Sequence, residues 1–325
     1  MITFYTQHAD GITVQEFNVS HKVQLNSALW IDLVYPTEDE IQFISDYLHL
    51  EMPSKKEMEE IEPSSRLYIE GNALFLTATM VAQSEHPEPK SDAVSFVLTN
   101  NKLITIRHIE PQAFNLFITM VKKTKTPSFS AISLLTSLLE ITTDRLADIL
   151  EKISDKFDEI SHGIFHKEDP TTAANGISYK EILQTIGINR ILASKIRDSL
   201  NSFIRIASFL EKGNITLDHE LHARLGIINK DVAALSDYAI FISTEVNFLL
   251  DATLGMISIE QNAIIKIFSV AAVIFLPPTL IASIYGMNFK HMPELTWFGG
   301  YPLALLLMMI SAWIPYHYFR KKKWL

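Results

Sequence analysis

The sequence predicts an α+β cytoplasmic domain, a mixed sheet with helices, followed by a long stalk helix and two transmembrane helices. Three observations predict it. Two uncharged runs of 23 and 25 residues stand back to back near the C-terminus, with only residues 290–294 (KHMPE) between them. Each exceeds the roughly 20 apolar residues a helix needs to cross a bilayer core. Upstream, no proline interrupts the chain from Thr216 to Pro277. Residues 1–125, by contrast, break into short β-branched and aromatic runs bounded by turn residues.

In chain order, the expected strands are Ile2–Tyr5, Ile12–Phe17, Leu29–Val34, Leu67–Ile69, Ala73–Ala82, Ala93–Leu98 and Leu103–Arg107. Asp10-Gly11, Gly71-Asn72 and Asn100-Asn101 punctuate them, and the last pair suggests a hairpin. Thr37 through Glu40 forms a capping box that opens a helix with Ile41, Ile44 and Leu48 on one face. Pro111–Lys122 reads as a second helix.

Residues 126–215 read as long antiparallel cytoplasmic helices. In the first, Leu139, Leu146, Ile153 and Ile160 recur at heptad spacing, and a breaker follows at residues 167–171. Ser178 and Glu181 cap the next, which turns inward Ile182, Ile186, Ile196, Leu200 and Ile204 and ends at Gly213-Asn214. Residues 216–288 are a stalk helix continuing into the first span, 289–298 an external loop, 299–319 the second span and 320–325 a basic tail. A helix of that length is a stalk rather than an ordinary globular element, and suits packing against copies of itself. Pro277 and Pro278 lie inside the first span, as a tolerated kink or a bend beside a water-filled path.

Orientation follows from charge. Arg320 and Lys321–Lys323 should stay cytoplasmic, and an even number of spans then puts the N-terminal part there too. The start, MITFYTQHADG, has no basic or apolar signal-peptide region, so none is expected. Trp297, Tyr301, Trp313, Tyr316 and Tyr318 suit an aromatic belt. From Gln261 onward there are six Lys/Arg and one acid, so of the formal net charge of −9 the rest of the chain carries −14.

Composition excludes several classes. An apolar share of 48 % with 20 % charged residues is no disordered chain. Zero cysteines exclude disulfides, zinc–cysteine clusters and thiol chemistry. The acidic balance argues against nucleic acid. No P-loop, GxGxxG, HExxH or GxSxG is present, so no enzyme is indicated. His162 and His166 at i, i+4, after Asp158 and Glu159, could hold a metal, but a solvated helix end explains them as well. The same holds for His219 and His222, and the acids Glu57, Glu59, Glu60 and Glu62 read as a solvated face.

The end of the first span carries the functional signal. Phe275 through Thr279 (FLPPT) leads to Tyr285-Gly286-Met287-Asn288-Phe289, then Met292 through Leu295 (MPEL), Trp297, Gly300-Tyr301-Pro302, and Lys321 through Leu325 (KKKWL) at the terminus. Here the sequence resembles the CorA family of divalent-cation channels, marked by Gly-Met-Asn at the end of the first of two C-terminal spans. The resemblance implies a homopentameric funnel in a bacterial inner membrane, both termini cytoplasmic, the first spans lining a pore. It implies a selectivity filter at Gly286, Met287 and Asn288. It aligns Thr279 with a polar pore ring, Leu276, Phe268 and Ile265 with an apolar constriction, and Asp251 with an acidic ring in the stalk. Below Asn288, at three- and four-residue steps from Ser283, the stripe reads Ser283, Thr279, Leu276, Ala272, Phe268, Ile265 and Asn262. Spacing alone leaves open which face is inward. A sister branch associated with zinc carries Gly-Ile-Asn, and Met287 sides with magnesium.

The chemistry agrees. Mg²⁺ dehydrates reluctantly, so a filter should hydrogen-bond its water shell. An Asn288 ring with Gly286 carbonyls offers neutral acceptors. Glu294 would concentrate cations outside, opposed by Lys290, where family members often have an acid. The family is closed by intracellular Mg²⁺ between subunits; Ile227 occupies one aligned metal-site position, with Asp231 a turn later, so those sites stay unplaced. The resulting expectation is a passive, membrane-potential-driven Mg²⁺ channel, with Co²⁺ and Ni²⁺ as further cargo. It needs no cofactor beyond Mg²⁺ as substrate and regulatory ligand, and its partners are four further copies, lipid and divalent cations. The alternatives are a Zn²⁺ transporter of the sister branch, or a membrane-anchored sensor or scaffold without transport.

Overall fold

A computed structural model describes residues 1–8, 11–16, 25–99, 101–123, 129–165, 178–212, 218–288, 292–322 and 324. Asn100, His166, the 167–171 breaker, Gly213-Asn214, Lys290 and Lys323 lie outside the described residues.

All seven expected strands form: β1 Ile2–His8, β2 Gly11–Glu16, β3 Ala28–Val34, β4 Leu67–Glu70, β5 Ala73–Ala82, β6 Lys90–Leu98 and β7 Leu103–Arg107. They make one mixed sheet in the order β2-β1-β3-β7-β6-β5-β4. The β3–β7 pair is parallel, with Asp32 opposite Thr105, and its partners flank it antiparallel. β6 starts three residues earlier than its apolar run, because Lys90 and Ser91 still pair with Ala82 and Val81. Leu98 faces Leu103 across the hairpin expected there, closed by Thr99 N–H donating to the Lys102 carbonyl at 2.9 Å.

The sheet is covered on both faces, so β7 is buried throughout and β3 at all but the half-buried Leu29 and Val34, rather than alternating. Ile31, Leu33, Phe4 and Phe75 pack with Ile44 of α1 (Glu38–Leu48). Its Thr37–Glu40 capping box is present in both directions. Opposite, Trp30 meets Phe114 and Phe117 of α4 (Gln112–Lys123). Between them lie the short helices α2 (Lys55–Met58) and α3 (Pro63–Arg66).

Three long helices follow: α5 Ala131–Phe165, α6 Tyr179–Lys212 and α7 His219–Tyr285. The heptad residues Leu139, Leu146, Ile153 and Ile160 are all buried, as are Ile182, Ile186, Ile196 and Leu200. α6 also covers a strand edge. β4 pairs only with Ala73–Leu76, which leaves β5 unpaired on that side from Thr77 on, and Ser202 Oγ accepts from Thr79 N–H at 3.1 Å. α5 and α7 are clamped by Arg224, which donates to both carboxylate oxygens of Glu140 (2.8 and 2.5 Å) and to Ser137 Oγ.

The chain divides into two compact units, one of Met1–His162 with Lys180–Leu250, the other of Gly163–Tyr179 with Asp251–Leu325. α7 is unbroken for 67 residues, with Pro277 and Pro278 inside it. α8 spans Gly300–Lys321. Both helices contain stretches long and apolar enough to cross a membrane.

Candidate functional site, the end of the first span

The membrane unit is built from the C-terminal half of α7 and from α8. On α7, Val270 is buried, and Ile274, Pro277, Pro278, Ile281 and Tyr285 are half-buried. These positions recur at three- and four-residue steps, so they form one face, and Ile274 shares a groove with Met309, Ile310 and Trp313 of α8. The expected stripe, Asn262, Ile265, Phe268, Ala272, Leu276, Thr279 and Ser283, is exposed along its whole length. At about 100° per residue it stands roughly half a turn from the α8-packed face. Phe268 is 72 % exposed and Leu276 65 % in the single chain. Phe275 (70 %) and Leu280 (61 %), beside the stripe, are as bare, so this side of α7 is open to lipid or to further copies of the chain. Asp251 is also exposed.

The polar members of the stripe have a defined sense. Thr279 Oγ1 donates to the Phe275 carbonyl at 2.7 Å. Its one proton is thus used inside the helix, and the lone pairs it turns outward can accept from the water shell of a cation.

α7 ends where the motif begins. Gly286 N–H donates to the Ala282 carbonyl at 2.9 Å and Met287 N–H to the Ile284 carbonyl at 3.2 Å, so the last turn tightens. A Cβ on Gly286 would lie 3.1 Å from the Ala282 carbonyl oxygen, closer than side-chain carbons normally sit. Glycine therefore lets the chain leave the helix here, and Met287 and Asn288 emerge exposed at its tip.

The return to α8 is compact. Pro293–Leu295 is a single 3-10 turn, and Thr296 caps it by donating its N–H and Oγ1 to the Pro293 carbonyl. Gly300 is buried at the start of α8, and a Cβ there would collide with the Glu294 carbonyl; a Cβ on Gly299 would lie 2.9 Å from the Trp297 ring. Gly300 thus admits the Glu294 carbonyl and Gly299 the Trp297 ring against the start of α8, steric roles their spacing alone did not reveal. At the other end of the hairpin, Lys266 Nζ lies 5.8 Å from the Trp324 ring centroid.

Other candidates fall elsewhere. Glu57 completes a capping box with Ser54, readable as Ser-x-x-Glu, and Glu59 pairs with Lys55 at 3.8 Å. The Ser54 hydrogen bonds hold the Glu57 carboxyl below the usual range. His219 and His222 are exposed in the first turn of α7, and among the described residues no group of three or more His, Cys, Asp or Glu is placed to hold a metal. Ile227 and Asp231 are exposed. Asp231 adds to a row of acids on α5: burial, then Glu140, Asp148 and Asp231, push the Asp144 carboxyl up.

A mixed-sheet head followed by two helices long and apolar enough to cross a membrane, the first prolonging a long stalk, is the architecture of a two-span helical membrane protein. Comparison with known proteins narrows this. The chain belongs to the CorA-like Mg²⁺ transporter protein family, whose profile matches residues 26–321. It is 35 % identical over 302 residues to the magnesium transport protein CorA of Pasteurella multocida, covering 93 % of each chain. To the magnesium transport protein CorA of Wolinella succinogenes it is 34 % identical over 331 residues, covering 100 % of both. Its fold is similar to the complete structure of the CorA magnesium transporter from Methanocaldococcus jannaschii, with a TM-score of 0.73 at 20 % identity, over 100 % of this chain and 99 % of that one.

Proposed function

We propose that the chain is a passive Mg²⁺ channel of a bacterial inner membrane, working as a homopentamer with α7 around the axis and α8 outside. The observation that carries this is the continuous exposed stripe on α7, opposite α8, ending at Gly286, Met287 and Asn288. Five copies about an axis would bury that stripe, converting bare Phe268 and Leu276 into an apolar constriction and Thr279 and Ser283 into polar rings. Family membership and curated relatives described as magnesium transport proteins supply the cargo.

Asn288 does the selecting. A ring of side-chain carbonyls accepts from the water shell of Mg²⁺ without stripping it, which suits an ion that dehydrates reluctantly. The apolar constriction below closes the path when dewetted. Two charges falling through 100 mV yield about 4.6 kcal/mol, so inward flow needs no nucleotide hydrolysis. Co²⁺ and Ni²⁺, with similar hydration, share the route. Intracellular Mg²⁺ bound between the acidic soluble parts closes the pore.

The test is Mg²⁺ uptake into proteoliposomes under an inside-negative potential. Asn288→Ala abolishes uptake while the oligomer, measured by light scattering, stays intact. Wild-type flux in this variant overturns the assignment. Hexaammine-cobalt, a mimic of hydrated Mg²⁺, blocks the wild type; block by Zn²⁺ alone would point to zinc as cargo, and no flux of any divalent cation would leave the hairpin an anchor.

A further inference from the structure

The head contains a cleft of ≈ 650 Å³ that transport does not use, at the carboxyl ends of the parallel strands β3 and β7. Crevices outside the carboxyl ends of parallel strands are where α/β sheets receive small ligands. Tyr35 follows β3 and His108 follows β7, and both line the cleft. They are tied together at the backbone, Tyr35 N–H donating to the Arg107 carbonyl at 2.9 Å.

Three features separate this cleft from ordinary surface. First, its backbone is strained. Of three non-glycine residues with left-handed backbone among the described residues, Tyr35 (φ 45°) and Gln83 (φ 54°) both line it. Such conformations are costly for a residue with a Cβ and gather at ligand sites. Second, His108 Nε2 is buried with no hydrogen-bond partner among the described residues. Native structures rarely leave such an atom orphaned. Burial, then Lys55, hold this imidazole below its usual range despite Asp92 and Glu59. Third, two lysines and a hydroxyl line it. Lys195 reaches across from α6 and donates to Ser91 Oγ at 3.0 Å, with Lys90 beside Ser91 in sequence. Ammonium and hydroxyl groups brought together are phosphate ligands.

The rest of the lining narrows the ligand. Tyr35 is 53 % exposed and makes a T-shaped contact with His108, centroids 6.4 Å apart, which leaves half of its surface open to a planar group. Asp92 and Glu110 also line the cleft and balance the two lysines. A cleft of balanced charge suits one phosphate and disfavours a polyphosphate.

We propose that this cleft binds a small organic monophosphate carrying a planar ring, its phosphate against Lys195, Lys90 and Ser91 and its ring against Tyr35. The ligand would sit in the sheet domain, outside the membrane unit, as a site for metabolic control.

Equilibrium dialysis of the full-length protein in detergent, saturated with Mg²⁺, tests it with AMP, adenosine and inorganic phosphate as probes. AMP binds saturably, and adenosine and phosphate each bind at least about tenfold more weakly, since each offers half of the contacts. Lys195→Met and Lys90→Met each weaken AMP at least about tenfold. Tyr35→Gly, which accepts the left-handed backbone without strain, weakens AMP but leaves phosphate unchanged. Circular dichroism and light scattering verify that each variant is folded and assembled. Absence of saturable AMP binding, or binding unchanged in both lysine variants, overturns the proposal. Phosphate binding as tightly as AMP overturns its ring half. The readout is binding, so it stands or falls independently of ion flux.

Discussion

At the scale of single residues, the head is held by charges that look like surface residues in the sequence. Lys102 is 6 % exposed, and its ammonium donates to the carbonyls of Leu25 (2.8 Å), Asn26 (3.0 Å) and Ala28 (2.8 Å). It pins the segment entering β3 from 77 residues away in sequence, as counted to Leu25. Lys102→Met keeps the stem but strands three carbonyls, and should cost on the order of 3 kcal/mol. Thermal unfolding of the purified variant, followed by circular dichroism, measures this; an unchanged midpoint would show the carbonyls find other partners. Asp32 and Arg107 make a similar buried pair at 2.8 Å, completed by Thr105 and the Ile109 carbonyl, with Phe114 4.4 Å beneath the guanidinium. Nothing local in the sequence marks these charges as buried, because the partner of each lies more than 70 residues away along the chain. The proposed filter is the opposite case. Gly286, Met287 and Asn288 are contiguous, so motif and conformation coincide and the sequence displays both.

At the scale of elements, the strands were legible because each is a short run between turn residues, and all seven form. Their order was not. The parallel β3–β7 pairing joins segments separated by most of the head, and no turn chemistry announces it. The stalk helix was legible from the missing prolines, whereas the face of α7 that packs on α8 emerges only from burial of Val270 and its neighbours. The loop between the spans shows how an element sets a site. Gly300 has no room for a Cβ beside the Glu294 carbonyl, so Gly300→Ala must push the 293–295 turn away from α8. If Glu294 gathers cations at the mouth, this variant should raise the external Mg²⁺ needed for half-maximal uptake a few-fold, as Glu294→Gln does. Maximal flux stays near wild type, because the Asn288 ring is untouched. Uptake titrations over external Mg²⁺ give both quantities, and an unaltered half-saturation point in Gly300→Ala would remove Glu294 from the entry path.

At the scale of the whole molecule, the proposed control by intracellular Mg²⁺ would act through the division of charge. The chain before Gln261 carries −14 and the remainder +5. Five copies would bring roughly −70 together on one side of the membrane, a repulsion that bound cations relieve. Divalent ions relieve it best, since each neutralises two carboxylates, and the absence of cysteine leaves no thiolate to compete with them. The raised Asp144 carboxyl, crowded by Glu140, Asp148 and Asp231, exemplifies the repulsion within one chain. An ion that binds the tightly packed state more strongly shifts the population toward it, and only by its differential affinity. Uptake should therefore slow as millimolar Mg²⁺ accumulates inside proteoliposomes, whereas K⁺ at matched ionic strength leaves it unchanged. The comparison separates specific binding from screening, because a Debye length of about 8 Å at physiological ionic strength is the same for both solutions. Equal slowing by the two salts would make the acidic part a passive counter-charge, and no slowing by either would remove it from gating.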